Sequence, residues 1–270
     1  MPLTLSALHI YPVKGLKGID LESAECSDRG LVNDRRWMVV DAQGDFLSQR
    51  EMPRMATIWT RLADGALVLS APDLPDVDVP VAPPSVAPLR VRVWNSTCDA
   101  LPVSPQADAW LSDYLGLACR LVYMPDSTRR VSNPEYTPGE KLVGFADAFA
   151  YLVTTEASLA DLNQRLEARK QRPVPMNRFR PNLVVRGAEP FAEDGWSEIR
   201  IGSAILQAVK RCGRCQVTTT DQSTGEVTGP EPLATLSTFH ADPKLGPCFG
   251  VNLVTVKPGT IRVGDAMQLQ

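Results

Sequence analysis

Residues 211–221, with the sequence RCGRCQVTTTD, hold the side chains of this chain that are best suited to chemistry. Two thiols stand beside two guanidiniums and three hydroxyls, a mixture that suits a soft metal next to an anion. Cationic neighbours favour the thiolate over the thiol, and thiolates select soft or high-valent transition metals over magnesium or calcium. The run therefore predicts a reactive or metal-binding thiolate, for which we single out Cys215 beside Arg214.

The spacing of Cys212 and Cys215 also occurs in redox dithiols and in structural zinc sites. Zinc needs about four nitrogen or sulfur ligands. The chain has only 2 histidines and no second Cys-x-x-Cys pair. No βαβ pattern surrounds the pair, as it would in a thioredoxin-like motif. A structural zinc site, a redox dithiol and inert packing of Cys212 remain open as alternatives to a single metal ligand.

The composition is that of an ordinary globular protein, with 44% hydrophobic and 22% charged residues in a chain of 270. A net charge of −3 gives no reason to expect nucleic acid as a partner. The N-terminus lacks the regions of a signal peptide, and no apolar run approaches the length of about 20 residues needed to cross a bilayer. We therefore expect a cytoplasmic protein with reduced cysteines and no membrane span.

Strand patterns dominate the first part of the chain. Residues 37–41 and 45–49 flank a glycine-containing turn, as in a hairpin, and residues 89–94 alternate apolar and polar side chains. Residues 71–88 carry too many prolines for a central strand. Residues 107–115 place apolar side chains on one helical face before Gly116, which predicts a helix that ends there.

A polar loop with prolines and a glycine at residues 125–141 indicates a domain boundary, and we predict domains at 1–122 and 123–270. Residues 149–154 predict a strand that leads into a helix at 157–169. Further strand patterns follow at 182–186, 198–201, 204–209 and 260–263. The chain is thus predicted to be mainly β with some α, with two β-barrel-like domains, the second containing one principal helix.

Four separated segments bring cationic or polar side chains to the ends of predicted strands. They are residues 11–14 (YPVK), 34–37 (DRRW), 177–182 (NRFRPN) and the thiol run at 211–221. An isolated arginine at a strand end is usually a solvated surface residue. Four such segments, one with a reactive thiol, instead indicate an anion site, because arginine offers phosphate a two-pronged donor and lysine a point charge.

These motifs resemble, in their order along the chain, those of MOSC-domain proteins with an N-terminal MOSC β-barrel domain. The resemblance covers essentially the whole chain and includes Lys17-Gly18, residues 155–159 (TEASL), 258–260 (PGT) and 263–265 (VGD). Similar proteins of this family are the mitochondrial amidoxime-reducing components and bacterial reductases of N-hydroxylated bases. The resemblance implies a MOSC-type barrel in the second domain and a molybdenum–molybdopterin cofactor whose metal is bound by Cys215.

The resemblance also implies which residues bind the cofactor. By position in the motifs they are Lys14, Gly15, Arg35, Thr154, Thr155, Ser158, Arg180, Asn182 and Arg214. Their cationic members form a cradle for the phosphate of the pterin, and a helix that begins after Thr155 can hold an anion at its N-terminus. Gly15 stands where many relatives have a serine, so the backbone would have to supply that hydrogen bond.

The activity implied by the resemblance is a molybdenum-dependent reduction of N-hydroxylated substrates, such as amidoximes, hydroxylamines and N-hydroxylated bases, to amines or amidines and water. Asp221 and Asp147 are candidate catalytic acids because they lie near the motifs, although each could serve only a turn. The sequence lacks a Cys-x₄-Cys-x₂-Cys cluster signature and a Gly-x-Gly-x-x-Gly fingerprint, so a separate ferredoxin- or cytochrome-type protein is expected to donate electrons. A cofactor carrier, or a sulfur-transfer protein that holds a persulfide on Cys215, is the alternative.

Overall fold

The computed structural model describes residues 2–63, 65–81 and 86–270. Strands account for 41% of the structure and helices for 18%. The prediction of a mainly β protein with some α is therefore confirmed, and its strands are arranged in four sheets within the described residues.

The largest sheet has nine strands in this part of the chain. In spatial order they are β20 (Met267–Leu269), β15 (Glu198–Ile201), β16 (Ala204–Gly213), β18 (Gly246–Lys257), β13 (Tyr151–Thr155), β14 (Leu183–Arg186), β1 (Thr4–Ile10) and β3 (Ile19–Asp20), with β17 (Ala241–Asp242) paired to β18. β13 and β14 are parallel, and the other neighbours are antiparallel. The long strand β18 was not predicted, although Val251, Leu253 and Val254 are the kind of apolar residues that a buried strand carries.

Three smaller sheets complete the β structure of the described residues. One has the order β10 (Leu89–Val93), β11 (Ser96–Pro102), β12 (Cys119–Tyr123), β6 (Trp37–Asp41) and β2 (Val13–Lys14). A second has the order β19 (Gly259–Arg262), β4 (Ser23–Ser27) and β5 (Gly30–Leu31). A third has the order β7 (Trp59–Ala63), β8 (Ala66–Ala71) and β9 (Leu74–Pro80).

Strand pairing crosses the predicted domain division at residues 122 and 123. β1 lies between β14 and β3 in the large sheet, and β4 pairs with β19 near the end of the chain. Leu5 and Leu8 of β1 are consequently buried in the same core cluster as β13 and β18. The boundary itself stays a prediction, but the first residues of the chain pack in the second barrel.

The two predicted helices are present. The first is α1 (Pro105–Leu115), where the Ser104 hydroxyl accepts a hydrogen bond from the Ala107 amide and Gly116 ends the helix in the left-handed region, at φ 74°. The second is α2 (Glu156–Ala168), the longest helix, which connects the parallel strands β13 and β14. The short helix α3 (Leu233–Phe239) was not predicted.

The N-terminal hairpin is only partly regular. Gly44 takes φ 84° in its turn, which favours glycine, and β6 forms as expected. Residues 45–49 make isolated bridges rather than a strand. The proline-rich stretch 71–88 contains the edge strand β9, a position where proline removes no required hydrogen bond, and residues 82–85 lie outside the described part of the chain.

Among the described residues, no helix combines the length and the apolar character needed to cross a membrane.

Candidate active site

A cleft of about 460 Å³ opens where strand ends of the N-terminal sheet meet those of the large sheet. Eight of the twelve residues predicted from the motifs line it: Lys14, Gly15, Arg35, Asp147, Arg180, Asn182, Arg214 and Cys215. Each lies at a strand end or in a loop next to a strand, which is why segments far apart in sequence can converge there. The cleft therefore combines one predicted thiolate ligand with four of the predicted cations.

Cys215 lies just beyond β16, at the start of a short 3₁₀ turn that covers Gln216–Thr219. Gly213 ends β16 at a place where a Cβ atom would approach the Leu245 carbonyl oxygen to 2.6 Å, so only glycine fits. The Cys215 carbonyl accepts hydrogen bonds from the Thr218 amide at 3.1 Å and from its hydroxyl at 3.0 Å. These contacts hold the backbone of Cys215 and leave its half-buried thiol at the cleft.

Arg214 does not turn its guanidinium to Cys215. Its Nη1 lies 2.9 Å from Sγ of Cys212, and its Nη2 donates to the Phe179 carbonyl at 2.7 Å. Cys212 also lines the cleft. The cation that the sequence associated with the metal ligand is thus bonded to the second thiol.

Lys14 and Asp147 form an ion pair in the cleft wall, and the Trp94 indole N–H donates to the same carboxylate oxygen at 3.1 Å. Burial lowers the pKa of Lys14, and the carboxylate of Asp147 opposes that shift. Desolvation in the cleft would raise the pKa of Asp147, but its side chain is 66% exposed, and Lys14 and the Trp94 hydrogen bond hold that pKa well below its usual range. Asp147 is therefore an ionised acceptor near neutral pH.

A buried arginine positions the loop that carries Asp147. The guanidinium of Arg130, only 6% exposed, donates to the carbonyls of Gly144 and Ala146 at 2.6 Å and to that of Asp147 at 3.0 Å. Burial lowers the pKa of Arg130. The guanidinium of Arg130 thus adds three hydrogen bonds to the backbone contacts that hold the loop between β12 and β13.

Arg35 and Arg180 both lie in the left-handed backbone region, with φ 47° and 54°. Arg35 donates to Asp34 at 2.6 Å and to the Asn182 side-chain oxygen at 3.0 Å. Asn182 in turn bonds the backbone of β13 and β1, through the Leu152 amide and the His9 carbonyl. Strained backbone of this kind concentrates at functional sites, where surrounding contacts hold it in place.

Thr154, Thr155 and Ser158 are fully buried and do not line the cleft. Thr155 caps α2, and the hydroxyls of Thr155 and Ser158 bond the carboxylate of Glu193 at 2.8 to 3.3 Å. The acceptor at this helix N-terminus is therefore a carboxyl group of the protein itself, and burial raises the pKa of that group. The sequence suggested a cofactor contact here because it could not show that Glu193 folds back onto the helix.

Asp221 also lies outside the cleft lining. One of its oxygens accepts from Arg178 at 2.9 Å, and the other accepts from the Ser223 amide at 2.9 Å in a turn. The hydrogen bonds from Ser223 lower the pKa of Asp221. Asp221 thus stabilises a turn, which is the alternative that the sequence left open. Near neutral pH it is ionised, and it does not supply a proton to the cleft.

The structure adds cleft residues that sequence reasoning missed. They include Phe46, Gln49, Arg50, Trp94 and Lys210. Trp94 stacks edge-on with Phe46 at 4.6 Å between ring centroids, and the Arg50 guanidinium lies 4.3 Å from the Trp94 ring centroid. The sequence places Trp94 in the turn after strand β10, but it does not show that this turn faces the cleft.

Among the described residues, no group of three or more histidine, cysteine, aspartate or glutamate side chains could hold a metal ion.

Comparison with protein families gives two matches. Residues 2–118 match the MOSC N-terminal beta barrel domain, and residues 140–268 match the MOSC domain.

Curated relatives match almost the whole chain. Mitochondrial amidoxime-reducing component 1 of Mus musculus is 38% identical over 285 residues, covering 98% of this chain and 82% of the relative. The protein of the same name from Homo sapiens is 35% identical over 284 residues, with the same coverage of 98% and 82%. Mitochondrial amidoxime reducing component 2 of Homo sapiens is 34% identical over 278 residues, covering 97% and 82%.

Among solved structures, the YUAD protein from Bacillus subtilis aligns with 99% of this chain and 94% of its own, with 9% identity and a TM-score of 0.42.

Proposed function

The chain belongs to the MOSC family, in the form that has an N-terminal β-barrel domain, and we propose that it is a molybdenum-cofactor-dependent reductase of N-hydroxylated substrates. The substrates are amidoximes, hydroxylamines or N-hydroxylated bases. Each takes up two electrons and two protons and yields the amine or amidine plus one water. The observation that carries the proposal is the convergence of Cys215 with Lys14, Arg35 and Arg180 in one cleft.

The donor set of the cleft fits molybdopterin. A single thiolate suits a metal whose remaining ligands belong to a cofactor, and thiolates favour soft or high-valent transition metals. Arg180 and Arg214 line the cleft, and both direct their side-chain hydrogen bonds to neutral or thiol acceptors, so their positive charge is left for an anion. Molybdopterin carries such an anion in its phosphate.

Each predicted residue in the cleft has a role under this proposal. Cys215 would bind the metal, while Lys14, Arg35 and Arg180 would hold the anionic end of the pterin, with Asn182 fixing Arg35. When bound, the cofactor supplies the two-electron change that removes oxygen from the substrate. The protein contributes binding, orientation and a partly closed cleft.

Asp147 is the carboxylate of the cleft lining, and its low pKa argues for orientation rather than proton donation. Lys14 and Trp94 both donate to it, so it stays ionised near neutral pH. We assign Asp147 the role of holding the ammonium of Lys14 in the cleft wall.

Electrons come from a separate redox protein of the ferredoxin or cytochrome type under this proposal. All six cysteines lie within the described residues and are free thiols, and Cys26, Cys98, Cys119 and Cys248 are buried singly. Free thiols fit a reducing compartment such as the cytoplasm.

The proposal is tested by producing the chain in cells that make the cofactor, then measuring molybdenum and pterin per protein and the reduction of benzamidoxime. With a reduced viologen as donor we expect turnover, because the dye needs no docking surface. With NADH alone we expect none. Stoichiometric molybdenum and pterin without reduction by any donor would contradict the reductase proposal.

A second thiol in the same cleft supports a second candidate, a cofactor carrier or a persulfide sulfur-transfer protein. Cys212 and Cys215 both line the cleft and are both half-buried. This candidate predicts bound cofactor, or a persulfide on Cys215 detectable by mass spectrometry, together with no amidoxime reduction.

A further inference from the structure

Tyr11 is a buried aromatic residue beside two of the cleft cations. Its side chain is only 5% exposed, and the Cζ atoms of Arg35 and Arg180 lie 4.3 and 4.2 Å from its ring centroid. Its hydroxyl donates to the Pro181 carbonyl at 3.1 Å, and its amide donates to Asp34 at 2.7 Å. The ring is thus held from both ends while it contacts both guanidiniums.

The two guanidiniums differ in how their charge is balanced. Arg35 has a carboxylate partner, because Asp34 accepts from it at 2.6 Å. Arg180 donates to the Leu16 carbonyl at 2.7 Å and to the Gln222 side-chain oxygen at 3.2 Å, both of which are neutral. Burial lowers the pKa of Arg180 to about 10. Among the described residues, no carboxylate forms an ion pair with Arg180.

We propose that Tyr11 is a positioning residue for the anion site, because its ring holds the guanidiniums of Arg35 and Arg180 in the cleft without neutralising them. A cation is attracted to the face of an aromatic ring, most strongly where water is excluded. A carboxylate in place of the ring would form an ion pair with Arg180 and compete with any incoming anion. The aromatic ring leaves both the charge and the remaining N–H donors of Arg180 available.

Gly18 supports this assignment independently. A Cβ atom on Gly18 would lie 2.6 Å from Cε1 of Tyr11 and 3.0 Å from the Ile10 carbonyl oxygen. The backbone of Gly18 does not take a positive φ, so the close approach of the Tyr11 ring is what the missing side chain permits. The glycine of the Lys17-Gly18 motif is therefore explained by the space that the Tyr11 ring needs.

The inference is tested on cofactor-free protein with inorganic phosphate as the probe, measured by isothermal titration calorimetry. Tyr11→Phe keeps the ring and should bind phosphate within about twofold of the parent. Tyr11→Leu and Gly18→Ala should each weaken binding about tenfold, because they remove or displace a ring with partly desolvated cation contacts. Retention of pterin by protein made in cofactor-producing cells should follow the same order.

Two variants control for general loss of packing. Tyr114 is also a buried tyrosine under an arginine, with Cζ of Arg54 at 4.1 Å from its ring centroid, but it lies outside the cleft. Tyr114→Leu should lower the melting temperature and leave phosphate affinity unchanged. Gly195→Ala places its Cβ in open space and should change neither quantity.

The inference would be overturned if Tyr11→Leu or Gly18→Ala bound phosphate as tightly as the parent does. It would also be overturned if Tyr11→Phe weakened phosphate binding as much as Tyr11→Leu does. If Tyr11→Leu does not fold, Gly18→Ala and Tyr11→Phe still decide it. The inference rests on the proposed function only in naming the pterin phosphate as the anion. The variants could differ in phosphate affinity as expected while the parent protein, made in cofactor-producing cells, never contains pterin. That result would support the role of Tyr11 and reject the proposed function.

Discussion

The guanidinium of Arg214 is bonded to the thiol of Cys212, with Nη1 2.9 Å from Sγ, and not to Cys215. No hydrogen bond among the described residues uses the Sγ atom of Cys215. The two thiols of the run are therefore distinguished by their partners, since one is bonded to a cation and the other is available to a metal.

This difference predicts unequal effects of replacing the two cysteines. Cys215→Ala should abolish benzamidoxime reduction while its melting temperature stays close to that of the parent, because a half-buried thiol at the cleft contributes little packing. Cys212→Ser should keep most of the activity, since serine still accepts from Arg214. Equal and complete loss in both variants would indicate a paired dithiol or a shared metal site.

The cationic lining predicts that cofactor retention depends on Lys14 and Arg180. Lys14→Gln and Arg180→Gln should each lower pterin affinity by about one to two decades, since a hydrogen bond to a charged group contributes about 1.5–3 kcal/mol. Added salt should increase the loss, because it screens the remaining charges. Pterin fluorescence after dialysis at several salt concentrations measures both effects. Arg54→Gln, outside the cleft, should match the parent, and retention by Arg180→Gln equal to that of Arg54→Gln would refute the cradle.

The ion pair of Asp147 predicts a pH-dependent contribution to stability. Its folded pKa is held below the unfolded value of about 3.9, so its stabilisation is present above that pH and is lost as the pH falls through the folded pKa. Asp147→Asn should therefore melt below the parent at neutral pH, and the difference should shrink below about pH 4. Thermal unfolding followed from pH 8 to pH 2 measures it, with the exposed Asp126→Asn as control. A difference that stays constant to pH 2 would show that ionisation of Asp147 does not matter.

The buried guanidinium of Arg130 predicts a large effect on stability. Arg130→Met would leave the carbonyls of Gly144, Ala146 and Asp147 without their donor, and each unsatisfied buried group costs about 1–3 kcal/mol. The free energy of unfolding in urea should fall by at least about 3 kcal/mol. Arg90 is exposed, so Arg90→Met should lower the free energy of unfolding by less than about 1 kcal/mol. A similar, small loss in both variants would show that the loop does not depend on Arg130.

Sequence patterns determined the elements of this protein whose cause is local. The helix α1 follows from an apolar stripe between Ser104 and Gly116, and β6 and β15 follow from their side-chain patterns. The motifs that resemble those of MOSC proteins also led to eight residues of the cleft lining, because that resemblance follows the order of short segments along the chain and does not depend on their contacts.

The tertiary structure alone decided which polar group each of these residues meets. Glu193 takes the N-terminus of α2, Arg214 bonds Cys212, and β1 joins the large sheet. Trp94, in the turn between β10 and β11, reaches Asp147 in the loop between β12 and β13. These partners lie two to more than a hundred and seventy residues apart in the chain, and periodicity reports only near neighbours. Burial and backbone packing across the two barrels decide which cation pairs with which carboxylate. The sequence alone does not show these pairings.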